Sequence, residues 1–540
     1  MEDKTLIIRI ESILGGQAPT THFASRDQFR ASLGIDPSLA STNDDDKYTS
    51  IASGLIRPVG VATATNTTSA SPLWIVGNPK ATTTSVSYFV TDSQGSAYTY
   101  GGATLTSLAD GGALSNSSGN GHEYYDNFAY FAKDTTVARY GPLDASVTPE
   151  FDGQYWDTTL SLTALSNKDY PADGWAGLNY PNHVLKRHSD GKLYIADVVD
   201  NKGTIHYIQT TKGTYEGDTN NASTYNKLQV GYGLWPTAME SYGSDLAIAF
   251  FEGGASSGSN ANSIQRAKLA FWDTTSQNVN KITWVEYPDP IITAIKNVNG
   301  VLYVFSGKMQ NNGFRLTRFV GGYTFEEVGL FETGQAPLPG GVDGQSDSLI
   351  LASYTKVPET APCVYALGLH KNKLSKGLFN IARGRTQTTG SSVSATCLSY
   401  DAYSGNLNQQ GILFGIAAED GGHVCNTYQA SINTDEPPVW WSQTYRIGQG
   451  FKIKKIRVPI TKTLAATNSI VPKIYVDDGR TSYTLQTINS TNYTLGERTI
   501  VLRPENAFGW YDFWLELKWT GTGTITVGLP ITIEYELVDD

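Results

Sequence analysis

Short runs of apolar residues alternate with polar turns along most of the chain. In DGKLYIADVVDNKGTIHYI, from Asp190 to Ile208, a polar turn leads into an apolar run and then into a second, alternating run. Similar units begin at Ser71, Ser241 and Asn297. A short apolar run bounded by turn residues is typical of a buried β-strand, and an alternating run is typical of a strand with one buried face. The pattern therefore predicts an all-β protein.

The apolar runs recur at a roughly regular interval. Their anchor residues lie roughly 47 to 65 positions apart, an interval typical of propeller blades with long loops. These anchors are Leu73, Phe128, Leu193, Leu246, Leu302, Leu349 and Leu413. We therefore predict a divergent β-propeller of about seven blades over residues 51–435, with the anchor runs as its innermost strands. A large sandwich and a β-helix are the alternative folds.

Residues 1–50 do not follow this interval. Leu6 to Leu14 is predicted to form a strand, and Ser25 to Ile35 a short helix that ends at Gly34. Sparse apolar residues of this kind are typical of an arm that docks on a neighbouring chain. The candidate assembly residues are Leu6, Ile8, Phe23 and Phe29.

Residues 436–540 change character again. Several short strands separated by regularly spaced turn residues predict a C-terminal β-sandwich or jelly roll. The basic run from Phe451 to Ile460 is interpreted as an edge strand protected against aggregation. A jelly roll also allows carbohydrate binding, and the candidate glycan-stacking residues are Trp440, Trp441, Trp510 and Trp514.

Composition narrows the classes of function. The formal net charge of −11 argues against a nucleic-acid-binding face, because phosphate binding needs a clustered positive surface. The first residues lack the basic start of a signal peptide, and no apolar run is long enough for a membrane helix. Cys363, Cys397 and Cys425 form no metal-binding pattern and are expected to be buried thiols.

Catalytic signals are weak. The sequence has no GxSxG, HExxH, Walker or GxGxxG motif in a suitable context, and we expect no cofactor and no metal. Propeller glycosidases place carboxylates at the ends of inner strands, where Asp197, Asp200 and Glu252 are predicted to lie. The favoured interpretation of each is a turn residue that caps backbone amides. We therefore expect a protein that is not an enzyme.

Two resemblances complete the sequence analysis. The segment from Asp190 to Ile208 resembles a repeat of the NHL and YWTD propeller type, which supports the fold rather than a function. The stretches ESILGGQAPTTHFASRDQFRASLG and WWSQTYRIGQGFKIKKIRVPITKT, with few charges between them, resemble structural proteins of tailed-bacteriophage virions.

That second resemblance implies a tail component of nozzle, tip or fibre type, located in the virion. Its expected partners are other virion proteins and further copies of itself in a symmetric ring. The alternatives are a module that binds a receptor or a host surface glycan, and a polysaccharide-degrading propeller enzyme.

Overall fold

In the residues that it describes, the computed structural model consists of β-strands and two short 3₁₀ turns, Val279–Lys281 and Pro339–Gly341. It describes residues 5–538 except for 19–25, 36–55, 57–60, 69, 79–87, 93–95, 101–104, 109–120, 134–135, 144–148, 153–183, 200–201, 209–227, 253–265, 308–312, 332–335, 346–347, 356–358, 371–372, 386–391, 401–411, 419–420, 432–435, 461–463, 465–466, 495–497 and 522–524. No helix within these ranges has the length and apolarity needed to cross a bilayer.

The first five strands do not form one sheet together. They are β1 (Thr5–Ile10), β2 (Gly16–Gln17), β3 (Gln28–Phe29), β4 (Ala31–Leu33) and β5 (Val61–Thr68). β2 and β3 pair with each other in parallel, whereas β1, β4 and β5 each join strands from the second half of the chain.

Five four-stranded antiparallel sheets follow in chain order. The first two comprise β6 (Pro72–Gly77), β7 (Tyr88–Asp92), β8 (Ala97–Tyr100) and β9 (Leu105–Ser107), then β10 (His122–Tyr125), β11 (Phe128–Lys133), β12 (Thr136–Gly141) and β13 (Glu150–Asp152). The third and fourth comprise β14 (Val184–Arg187), β15 (Leu193–Val199), β16 (Lys202–Ile208) and β17 (Leu228–Tyr232), then β18 (Leu234–Tyr242), β19 (Asp245–Glu252), β20 (Ala267–Trp272) and β21 (Thr283–Tyr287). The fifth comprises β22 (Ile291–Val298), β23 (Val301–Gly307), β24 (Phe314–Gly321) and β25 (Thr324–Phe331).

An eight-stranded sheet completes the series, in the order β26–β27–β28–β29–β5–β32–β31–β30. Its strands, apart from β5, are β26 (Val342–Gln345), β27 (Ser348–Thr355), β28 (Ala361–His370), β29 (Lys373–Arg385), β30 (Ser392–Tyr400), β31 (Ile412–Ala418) and β32 (Gly421–Ser431). β5 pairs in parallel with β29 and antiparallel with β32, so it lies at the centre of the sheet. An early strand therefore joins two groups of late strands.

The leading strands of these sheets contact one another in a closed ring. The order of contact is β6, β10, β14, β18, β22, β26, β30 and back to β6. Each sheet extends outward from this ring strand by strand, which is the architecture of a β-propeller. The prediction of an all-β, propeller-like chain is confirmed.

The position predicted for the apolar anchor runs is wrong. Six of the seven anchors lie in the second strand of each group rather than in the innermost strand, and Leu73 lies in an innermost strand, β6. A second strand has a hydrogen-bonded neighbour at each edge and a packed sheet on each face. Both faces are therefore buried, as the burial of Leu246 to Phe251 in β19 shows.

The chain ends in a sandwich of two sheets. One has the order β1–β41–β35–β38, with β39 also on β35, and the other has the order β37–β36–β40–β33–β4, with β34 also on β40. The new strands are β33 (Val439–Trp441), β34 (Tyr445–Arg446), β35 (Phe451–Pro459), β36 (Ile470–Val476), β37 (Thr481–Thr484), β38 (Thr499–Leu502), β39 (Phe508–Gly509), β40 (Asp512–Trp519) and β41 (Ile531–Leu537).

Two local predictions for this region are corrected. The predicted helix from Ser25 to Ile35 contains β3 and β4 in its described part, because the main chain from Ala31 to Leu33 pairs with β33. That pairing and the burial of Leu33 override the local helix propensity. The basic strand β35 is an interior strand, because it pairs with β41 on one side and with β38 and β39 on the other.

The predicted separate arm is part of the sandwich in its described residues. β1 adds a strand to one sheet by pairing with β41, and β4 adds a strand to the other by pairing with β33. Ile56 forms a further two-way main-chain bridge with Val527. The early residues thus dock on the C-terminal part of their own chain.

One hydrophobic cluster joins the early strands, the eight-stranded sheet and the sandwich. Phe29 lies at the junction and is 1% exposed. Its ring centroid is 5.8 Å from that of Phe379 in β29 and 6.3 Å from that of Trp440 in β33. A single side chain from the early residues therefore packs against both the propeller and the sandwich.

We expect Phe29→Ala to lower the free energy of unfolding by ~3–5 kcal/mol, because it leaves a cavity between three packed units. Urea denaturation followed by circular dichroism measures the change. Val320→Ala is the matched control, since Val320 is 54% exposed. A loss for Phe29→Ala no larger than that of the control would contradict the role of Phe29 at this junction.

Candidate functional site

The innermost strands of the propeller enclose a cavity of about 510 Å³. It is lined by residues from β6, β10, β14, β18, β22, β26 and β30. A volume of this size suits a small ligand or a file of water molecules. The cavity is therefore the first candidate for a functional site.

Six charged residues line the cavity. Five of them alternate in sign around the ring, each from a successive innermost strand, namely Glu123, Lys186, Glu240, Lys296 and Asp343, and the sixth, Arg187, follows Lys186 in β14. The Lys186 ammonium lies 3.8 Å from a Glu123 oxygen and 3.1 Å from a Glu240 oxygen. The Lys296 ammonium lies 3.0 Å from a carboxylate oxygen of Asp343. The charges thus pair from sheet to sheet across the ring.

Four of these residues occupy equivalent positions. Lys186, Glu240, Lys296 and Asp343 each pair with the residue that follows the leucine anchor of the next strand. The sequence signal is therefore a charge six or seven residues before four of the six anchor leucines, with the sign alternating from unit to unit. These charges did not stand out in the sequence because the anchors themselves were expected in the innermost strands.

Lys296 is held in its charged form. Burial lowers the pKa of Lys296, but the negative charges of Asp343, Glu240 and Glu123 outweigh this effect, so its pKa is raised above the ordinary lysine value. Lys296 therefore carries a positive charge throughout the physiological pH range, and the pairing across the ring persists with it.

Two of the three carboxylates proposed from sequence, Asp197 and Glu252, are not among the residues that line the cavity. Asp197 is buried in β15 and Glu252 ends β19, where its carboxylate is 3.6 Å from the Lys268 ammonium. Both strands are the second strands of their sheets. Asp200 falls outside the described residues. Within those residues, no group of three or more His, Cys, Asp or Glu side chains is arranged to bind a metal ion.

The candidate tryptophans differ in accessibility. Trp440 and Trp514 are buried, at 0% and 3% exposure, so neither ring can stack on an external sugar. Trp441 is half-buried and donates its indole N–H to Glu516 over 2.7 Å. Trp510 is 44% exposed and keeps an accessible ring surface.

Trp514 and Trp441 contact the early residues instead. The Arg30 guanidinium lies 3.9 Å from the ring centroid of Trp514 and 5.5 Å from that of Trp441. Tyr475 stacks on Trp514 with ring centroids 5.1 Å apart and an interplanar angle of 7°. A cation over an aromatic face is attractive, most strongly when partly desolvated. These aromatic rings therefore bind the segment that carries β3 and β4.

The candidate assembly residues are divided between surface and interior. Phe29 is buried within its own chain, Leu6 and Ile8 are half-buried in β1, and Phe23 falls outside the described residues. Their neighbour Ile7 is 54% exposed. β1 is an end strand of its sheet, so one of its edges faces away from β41.

All three cysteines are buried, as predicted, and none is in a disulfide. Burial raises the pKa of the Cys363 thiol and of the Cys397 thiol to about 12 in each case. Since the thiolate is the reactive form, both groups are chemically inert in the folded protein near neutral pH.

The comparisons with known proteins add a set of distant structural likenesses. No protein-family model matches the chain, and no curated protein matches it significantly. The WD40 domain of Pan2 from Neurospora crassa shares 8% identity over 67% of this chain and 94% of its own, with a TM-score of 0.38. A catalytically inactive virginiamycin B lyase from Staphylococcus aureus shares 12% identity over 66% of this chain and 95% of its own, with a TM-score of 0.35.

An engineered GH43 glycoside hydrolase shares 10% identity over 78% of this chain and 98% of its own, with a TM-score of 0.27. At TM-scores this low, none of these likenesses supports a statement about activity. The propeller character rests on the sheets themselves.

We expect Asp343→Asn to lower the free energy of unfolding by about 1–2 kcal/mol at pH 7, because it leaves the half-buried Lys296 ammonium without its nearest partner. The stabilisation by Lys296 is fully present below the pKa of an unfolded lysine, about 10.4, and is lost as the pH rises through the higher folded value. Urea denaturation at pH 7 and pH 9 should therefore give the same difference.

Glu326→Gln is the control for this variant, since the Arg318–Glu326 pair has the same kind of contact at 2.8 Å but is exposed. Its effect should stay below about 0.5 kcal/mol. Equal effects of the two substitutions would show that the charges in the cavity contribute no more than surface ion pairs.

We expect the native thiols to resist Ellman's reagent at pH 8, because they are buried and their thiolate form is disfavoured. Unfolding in guanidinium chloride should release all three thiols per chain. Rapid labelling of any cysteine in the folded protein would contradict their placement in the core.

Proposed function

We propose that this chain is a non-catalytic structural component of a phage virion, located in the tail and assembled with copies of itself in a symmetric ring. The observation that carries the proposal is the end strand β1, whose Ile7 side chain is 54% exposed and whose outer edge has no paired strand among the described residues. An unpaired strand edge is a template for joining another strand, and the exposed Ile7 side chain adds apolar surface next to it. The occupant we propose is a second copy of this chain.

The layout that accompanies this role is a propeller of seven blades followed by a sandwich. In it, the eight-stranded sheet comprises two blades that share an edge through β5. The propeller spans residues 61–431, and the sandwich combines residues 5–35 with residues 436–538. The closed order of the innermost strands and the pairing of β1 and β4 support this division.

The cavity supports a structural role better than hydrolysis. Glycoside hydrolysis needs two carboxylates about 5–10 Å apart, one of them protonated, with space for sugar or water between them. Glu123 and Glu240 are instead engaged by one ammonium, that of Lys186. Ion pairs between these charges link neighbouring sheets, which suits a rigid structural protein.

Light scattering of the full chain between about 1 and 50 µM tests the assembly, because mass action favours oligomers over this range. We expect a defined oligomer, visible as a closed ring in negative-stain electron microscopy. Ile7→Lys should give a folded monomer, because it replaces the exposed apolar side chain of this end strand with a charge.

Val320→Lys is the matched control, since Val320 is equally exposed, at 54%, but lies in β24 of the propeller. It should assemble like the unmodified chain. A monomer at every concentration, or an Ile7→Lys variant that still forms the ring, would contradict assembly through β1.

A further inference from the structure

A second cavity, of about 430 Å³, lies in the sandwich and is separate from the propeller cavity. It is formed by the turn that follows β36, the residues that precede and begin β40, and the segment around β34. Its volume falls in the range typical of small-ligand sites. The residues on which the argument rests are Thr444, Arg446, Asp478, Arg480, Tyr511 and Asp512.

The walls of this cavity are fixed by hydrogen bonds between the two turns. Asp477 accepts hydrogen bonds from the backbone N–H groups of Trp510 and Tyr511, over 2.7 Å and 2.9 Å. Asp512 accepts a hydrogen bond from the backbone N–H of Asp478 over 2.8 Å. The loop that carries the two aromatic residues is therefore held in place before any ligand arrives, which lowers the entropic cost of binding.

The two aromatic side chains on this loop are unusually accessible. Tyr511 lines the cavity and is 66% exposed, and Trp510 beside it is 44% exposed. Trp440, Trp514 and Trp519 in the same sandwich are all nearly fully buried. An aromatic ring left in water has an apolar face that a ligand can cover, and its polar edge remains solvated.

The polar groups of the cavity select the chemical class of the ligand. The cavity is lined by three carboxylates, those of Asp477, Asp478 and Asp512, and by two guanidinium groups, those of Arg446 and Arg480. These opposite charges nearly balance, so the cavity has no strong preference for an anion or a cation. It offers both acceptors and donors, which a neutral ligand rich in hydroxyl groups can satisfy.

We propose that this cavity binds a neutral saccharide, with Tyr511 as the stacking surface in its lining, the neighbouring exposed Trp510 as a second stacking surface beside the cavity, and the Asp and Arg side chains as hydrogen-bonding groups. The C–H face of a pyranose ring covers an aromatic face, and its hydroxyls can donate to carboxylates and accept from guanidinium groups. The proposal does not depend on ring assembly, because none of these residues lies in β1.

Isothermal titration calorimetry of the full chain tests this site. The probes are cellohexaose, maltohexaose, chitohexaose and mannohexaose, each up to about 5 mM, with polygalacturonate as an anionic comparison. We expect at least one neutral hexasaccharide to bind. We also expect Tyr511→Ala and Trp510→Ala each to weaken that binding at least about tenfold, as the loss of a stacking aromatic does.

Tyr323→Ala is the matched control, because Tyr323 is 62% exposed but lies between β24 and β25 of the propeller. It should leave the affinity unchanged, and thermal melts should show that all three variants are folded. Should none of the neutral hexasaccharides bind, the proposal is overturned. Equal losses in all three variants, or binding of polygalacturonate alone, would overturn it as well.

Discussion

The structure depends on pairing between strands that lie hundreds of residues apart in the chain. β5 holds the two halves of the eight-stranded sheet together, and β1 and β4 each complete one sheet of the sandwich. Without β5, the groups β26–β29 and β30–β32 would each present an unpaired edge at the same place. The ring of sheets and the sandwich therefore share one requirement, namely that the early strands reach their late partners.

This requirement also explains why the propeller and the sandwich share a core. The segment between β1 and β5 has to pass from one unit to the other, and it fills the space between them with Phe29 and Ile56. Burying these side chains at the junction stabilises both units at once. The same segment places the Arg30 guanidinium over the ring of Trp514, so this charged side chain also has a favourable contact.

The sequence predicts the strand content and the interval between units well, because both follow from local patterns. Runs such as LYIAD and LAIAF are mostly apolar at every position, and this pattern is typical of strands that are buried on both faces. Their place in the sheet does not follow from that pattern. A second strand and a fully covered innermost strand have the same composition, and only pairing distinguishes them.

Pairing decides the remaining differences as well. Ser25 to Ile35 has a helical pattern, but the main chain near Leu33 finds a partner in β33, some four hundred residues later. The alternating charges of the cavity are each unremarkable in sequence, and they form a pattern only once Lys186 and Glu240 are brought to adjacent strands. Local propensity contains no information about such distant partners.

Some aromatic residues of the sandwich are buried and others are exposed, and the residue type does not indicate which are which. Trp514 and Trp510 lie four positions apart, yet one is enclosed by Tyr475 and Arg30 and the other lies at an open rim. The difference arises because Trp514 is in β40, whereas Trp510 precedes that strand in a loop. Tryptophan content alone therefore cannot distinguish core packing from a binding surface.

Pairing of early with late strands also imposes an order of events during synthesis. A ribosome releases β1, β4 and β5 long before it makes β32, β33 and β41, so the early strands leave the exit tunnel without their partners. Intermediate sheets such as β14–β17 can pair at once, because each of their strands pairs with its neighbour in the sequence. The pairings of β1, β4 and β5 are therefore completed late, after the intermediate sheets have already formed.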